Sequence, residues 1–138
     1  MDSDPIARLR VTTKTLSAGL RDDVLALGAR AVPDLIAILD DDDAAMEDGP
    51  GSGWPPIHTV ELLADIGAHE AIEPMLRALV RTDWMSILHD RVIIRLPEFG
   101  AAVVEPALSM LAHADDREVR QSLCAVLSKV GVRDDRMN

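Results

Sequence analysis

The chain has 138 residues, long enough for one domain with a buried core and too short for two ordinary ones. Its 24 Asp and Glu outnumber 14 Lys and Arg, and a net charge of −10 repels phosphate backbones, which argues against nucleic acid as a partner. A single cysteine, Cys124, excludes an internal disulfide, and no apolar run approaches the length needed to span a membrane.

The apolar residues are nearly all aliphatic, with two Trp, one Phe and no Tyr. Ala and Leu suit close helix packing, whereas strands bring aromatic and β-branched residues, so the composition predicts an all-α fold. The start, MDSDPIARLR, is acidic and lacks the apolar region of a secretory signal. Together with the lone thiol this predicts a cytoplasmic protein.

In chain order, Ser3 or Asp4 caps a first helix with Pro5 in its first turn. Ile6, Leu9, Leu16 and Leu20 fall near one helical stripe, although the Thr12-Thr13 pair is weak in a helix interior. Gly19 reads as a stop before a short helix from Arg21 to Leu27, and Pro33 opens the next, with Leu35, Ile36, Ile38 and Leu39 as its apolar face. Asp40 to Pro56 holds acids, Gly and Pro without periodicity and reads as a loop. Helices then alternate with short connections: Pro56 to Ile66, Ala71 to Arg81, Asp83 to Leu96, Ala102 to Ala112 and Arg117 to Val130.

A repeat underlies this alternation. Gly28, Gly67, Gly100 and Gly131 each follow an apolar residue, at spacings of 39, 33 and 31 residues. The first three are followed by Pro33, Pro74 and Pro106, and two residues later by Leu35, Leu76 and Leu108. Each such glycine is expected to close a helix in the left-handed conformation that only Gly adopts cheaply, and the proline sits where a missing N–H costs nothing.

In the last unit Gly100-Ala101, Pro106 and Leu108 are followed by Asp116, Val119, Arg120 and Leu127. This pattern resembles the short bacterial HEAT-like repeats of the class also seen in phycobilin lyases, over roughly residues 20 to 131. The position of Arg120 holds Pro56 in the second unit and His89 in the third, which departs from the family's Asp–Arg ladder. Pro97 should make the third unit's second helix kink or end early.

The resemblance implies a right-handed α-α superhelix of about three and a half units and roughly eight helices, forming a single domain over residues 1–138 with its acidic loop at 40–56. It also implies that the second helix of each repeat lines a concave face. On that basis Val60, Leu63, Ile93, Leu96, Leu123 and Leu127 pack between repeats. The binding candidates are His58, Glu61 and Asp65, then Asp90, Arg91 and Glu98, then Gln121, Ser122 and Lys129, all expected to be exposed. Trp54, at the junction of loop and helix, is either a partner anchor or a plug for the core.

Other chemistry is poorly supported. His58, Glu61 and Asp65 share a helix face at i, i+3 and i+7, but no second cluster completes a metal site. Asp40 to Asp43 with Glu47 and Asp48 lack the ligand order of a calcium loop, and such a run reads as solvated. Gly49-Pro50-Gly51-Ser52-Gly53 lacks the Lys-Ser/Thr of a phosphate loop and reads as a flexible turn. Cys124 aligns with Val60 and Ile93 and reads as a small buried apolar residue. His58, His69, His89 and His113 fall in different repeats, so no Ser/His/Asp site can be assembled from sequence.

These observations predict a non-catalytic module, with no cofactor, no metal and no membrane partner, that binds a protein through its concave face. A basic protein is the concrete candidate for that partner. The alternative is an enzyme or enzyme-accessory subunit resembling the chromophore lyases or helical-repeat DNA glycosylases. Against it stand the missing basic, aromatic-bearing groove and the missing aromatic-lined pocket.

Overall fold

The computed structural model describes residues 5–41, 46, 48–49, 51–82 and 86–130. Helices and turns account for these residues, and no strand occurs among them. The all-α fold expected from the aliphatic composition is therefore observed. The chain divides into two compact units, Met1–Ala71 and Ile72–Asn138.

In the first unit α1 (Pro5–Arg10) packs on α2 (Ala18–Leu27) and α3 (Val32–Leu39), and α4 (Trp54–Ile66) packs on α2 and α3. Ile6, Leu9, Leu20, Val24, Leu35, Ile38, Leu39, Leu62 and Leu63 are buried here. The predicted stripe from Ile6 to Leu20 is two helices. Thr12 Oγ1 donates to the Arg8 carbonyl at 2.8 Å, and this local competition ends α1. Ser17 then caps α2, its Oγ accepting from the Leu20 N–H at 3.2 Å. Gly19 is thus inside α2 and does not end a helix. The predicted loop is shorter by its last residues, because α4 starts at Trp54 with Pro55 and Pro56 in its first turn.

The second unit contains α5 (Ile72–Arg81), α6 (Ile87–Arg95), α7 (Val104–His113) and α8 (Arg117–Val130). Helix α5 packs on α6, α7 and α8, and α7 packs on α8. Met75, Leu76, Leu79, Val92, Leu96, Val103, Leu123, Val126 and Leu127 are among its buried apolar residues. Ser86 caps α6 by accepting from the His89 N–H at 3.1 Å, so the described helix begins at Ile87; the expected start at Asp83 lies outside the described residues. As Pro97 predicts, α6 ends at Arg95 and the chain continues as a 3-10 segment, Leu96–Val103.

Gly28, Gly67 and Gly100 have φ of 57°, 76° and 73°, and a 3-10 turn at or next to each leads into the next α-helix. Only Gly67 takes the left-handed conformation expected of all three; Gly28 and Gly100 have ψ of −133° and −145°, because both lie within the 3-10 segments Gly28–Ala31 and Leu96–Val103. Pro33, Pro74 and Pro106 fall in the first turns of α3, α5 and α7. Gly131 lies outside the described residues. At Gly67, with ψ of 30°, the N–H donates to the Leu63 carbonyl at 3.0 Å, which closes α4. We expect Gly67→Ala to cost about 1–2 kcal/mol, because an L side chain is strained at this φ. Gly19→Ala, in helical backbone with open space around it, should stabilise by about 0.5–1 kcal/mol. Urea unfolding of the two variants checks the opposite signs.

The Asp116 and Arg120 pair also has a local role. The Asp116 carboxylate accepts from the Glu118 N–H at 2.8 Å at the start of α8. Arg120 Nη1 donates to the Leu111 and Ala114 carbonyls at 3.0 and 3.1 Å, satisfying the end of α7. The turn between α7 and α8 is thus held from both sides.

Candidate functional site

In the first unit the predicted residues on α4 come together differently from expectation. His58 is buried, not exposed. Its Nε2 donates to the Thr13 carbonyl at 2.6 Å, because the connection between α1 and α2 runs against this part of α4 and needs its backbone satisfied. Trp54 is partly buried and stacks on His58 with ring centroids 6.0 Å apart. Glu61 is partly buried, and Asp65 accepts from Arg21 of α2 at 2.6 Å. The i, i+3, i+7 set is therefore divided between packing and an ion pair. No group of three His, Cys, Asp or Glu that could hold a metal ion is found among the described residues.

Part of the loop before α4 falls among the described residues. Asp41 pairs with Arg10 at 3.7 Å, while Asp42, Asp43 and Glu47 lie outside the described residues. Ser52 N–H donates to the Gly49 carbonyl at 3.0 Å and Trp54 N–H to the Gly51 carbonyl at 3.1 Å. Gly51 is buried, and a Cβ there would lie 2.8 Å from the Thr12 carbonyl oxygen and closer still to the Pro55 ring. The flexible turn expected at Gly49–Gly53 is a close-packed one at Gly51, where only hydrogen fits.

In the second unit the candidates lie on α6, on the 3-10 segment after it, and on α8. Asp90 is exposed, Arg91 is partly buried, and Glu98 pairs with Arg95 Nε at 2.9 Å. Gln121 and Lys129 are exposed, but Ser122 is only 7% exposed. On α8 the buried positions are Ser122, Leu123, Val126 and Leu127, so Ser122 sits at the edge of the buried arc. At 3.6 residues per turn, Cys124 lies about 130° from the centre of that arc. It is accordingly exposed, contrary to the burial expected from its alignment with Val60 and Ile93.

The burial of Ser122 brings it to His89, 33 residues earlier. His89 is 3% exposed, and its Nε2 is 2.8 Å from Ser122 Oγ. The other ring nitrogen, Nδ1, is 3.1 Å from Thr82 Oγ1, whose proton is donated to the Ala78 carbonyl at 2.7 Å. Both ring nitrogens of His89 thus lie within hydrogen-bond reach of a hydroxyl, one on each side of the ring. The sequence analysis had separated these residues. The available signal was a His beside Leu88 and a Ser beside Leu123, since polar groups on buried arcs must find partners.

His89 and Ser122 border a surface cavity of about 400 Å³. Ile93 and Ala125 add apolar wall, and Glu118 and Gln121 add polar groups. A second depression of about 390 Å³ has Val80, Met110 and Val119 beside Asp115 and Asp116.

No family model matches the chain, and neither does any curated protein or solved structure. No described helix is long and apolar enough to cross a membrane.

Proposed function

We propose that the chain is a cytoplasmic HEAT-like α-solenoid that binds a protein partner non-catalytically, and that this partner is basic. The solenoid reading is supported by the recurrence of a positive-φ glycine, a 3-10 turn and a first-turn proline at the starts of α3, α5 and α7. The binding reading rests on one observation. Along α6, Ile87 and Ile94 are 47% and 46% exposed, and exposed Asp90 stands between them at i+3 of an i, i+3, i+7 stripe. Isoleucines this open on one helix face supply apolar anchors, and the carboxylate selects a cation beside them.

The excess of acid, −10 overall, attracts such a partner at long range. Glu98, Gln121 and Lys129 are further exposed residues of the proposed face. A test is fluorescence anisotropy with a lysine-rich amphipathic helical peptide and its glutamate-rich counterpart. The expected result is binding of the basic peptide alone. It should weaken as salt rises, because the screening length shrinks from about 10 Å at 0.1 M to about 3 Å at 1 M. Ile94→Ala and Asp90→Lys should each reduce affinity. Equal binding of both peptides, or no effect of these substitutions, overturns the reading.

A further inference from the structure

Beyond partner binding, we propose that the depression formed by α5, α7 and α8 binds a small organic cation, a free alkylamine held by Val80, Met110 and Val119 along its chain and by Asp115 and Asp116 at its ammonium group. The cavity has a volume of about 390 Å³, within the range of small-molecule sites, and its lining belongs entirely to the second unit. Its apolar residues come from three helices: Val80 near the end of α5, Met110 in the last turn of α7 and Val119 in the first turn of α8. Val80 is 41% exposed, and Met110 and Val119 are half-buried, so each still offers hydrocarbon surface. Covering that surface removes apolar area from water, which favours an occupant with a hydrocarbon body.

The charges on the rim select the sign of the headgroup. Asp115 and Asp116 occupy the turn between α7 and α8, and both are exposed, so neither carboxylate has to be desolvated before a ligand arrives. Asp116 Oδ1 is engaged by the Glu118 N–H, whereas Asp115 has no ion pair among the described residues and is the carboxylate left to receive an ammonium. Arg77 is the opposing charge on the lining, and it has an interaction of its own. One guanidinium against two carboxylates leaves the rim net negative. Arg120 donates to the Leu111 and Ala114 carbonyls and borders a different depression, with Glu105 and Leu108. His113, the remaining titratable group on the lining, is tied down by Nδ1, which donates to the Ser109 carbonyl at 2.9 Å. An anionic amphiphile meets repulsion from this rim, and a neutral one gains from the apolar wall alone.

The experiment titrates the full chain, isotopically labelled for amide NMR, with hexylamine, 1-hexanol and hexanoate, which share one hydrocarbon chain and differ in charge. It is run at about pH 8, where imidazole side chains are ordinarily uncharged and primary amines are charged. The expected result is saturable shifts at Val80, Met110 and Val119, with hexylamine binding about fivefold more tightly than hexanol and hexanoate more weakly than either. Butylamine, two methylenes shorter, should bind about tenfold more weakly than hexylamine. Asp115→Asn should remove most of the preference for amine over alcohol. Val80→Lys, at an exposed position that leaves the core unchanged, should make hexanoate the tightest of the three, with circular dichroism as the control for folding. Equal affinities for the three probes, no saturable shifts at these residues, or unaltered selectivity in Val80→Lys overturns the proposal. So does a dimer in sedimentation equilibrium whose formation shifts the same resonances, since a second copy would then cover the depression. Ile94→Ala should leave hexylamine binding unchanged, so this site and the α6 stripe fail independently.

Discussion

Truncating the leucines that follow the repeated prolines is expected to give a graded loss of stability. Leu35 and Leu76 are completely buried, whereas Leu108 is 9% exposed. Leu35→Ala and Leu76→Ala should each cost about 3 kcal/mol, through lost transfer energy and an unfilled cavity. Leu108→Ala should cost about 1 kcal/mol less. Leu108 borders a surface depression with Glu105 and Arg120, where water reaches the vacated space and neighbours can close on it. Urea denaturation of the three variants is the measurement. Equal losses would show that sequence register alone sets the energetics, and the burial argument would fail.

Removing His89 is the second large effect. His89→Ala should cost about 2–4 kcal/mol, because it deletes a buried ring and the partner of the Ser122 hydroxyl. Ser122→Ala should cost only about 1 kcal/mol, since His89 borders the cavity and water can replace the lost hydroxyl. The two substitutions share one hydrogen bond, so the double variant should be less unstable than the sum by about 1 kcal/mol. Additivity within about 0.5 kcal/mol would mean that the 2.8 Å contact contributes nothing.

Much of the local structure was legible in residue order. The start of α8 at Arg117 follows from the break at Ala114-Asp115-Asp116 and the apolar period after it. The left-handed Gly67 follows from a glycine placed after an apolar helix end. The early end of α6 follows from Pro97. The misread elements are those whose ends depend on a single side-chain bond. Ser17 caps α2 and Thr12 ends α1, yet each could equally well face solvent in a sequence reading.

The candidate site was less legible, because periodicity places a residue on a helix face without saying what covers that face. His58 and Ser122 were assigned to open positions and are buried, while Cys124 was assigned to the interior and is exposed. An error of one position in an arc of about 100° per residue suffices to exchange inside and outside. Composition and local pattern determined that this chain is helical, acidic and regularly interrupted by Gly and Pro, since those properties depend on neighbours within a few residues. Only tertiary packing decided that Ser122 meets His89 across 33 residues and that His58 meets Thr13 across 45. Such contacts depend on how side chains of different helices share space and satisfy each other's hydrogen bonds once water is excluded.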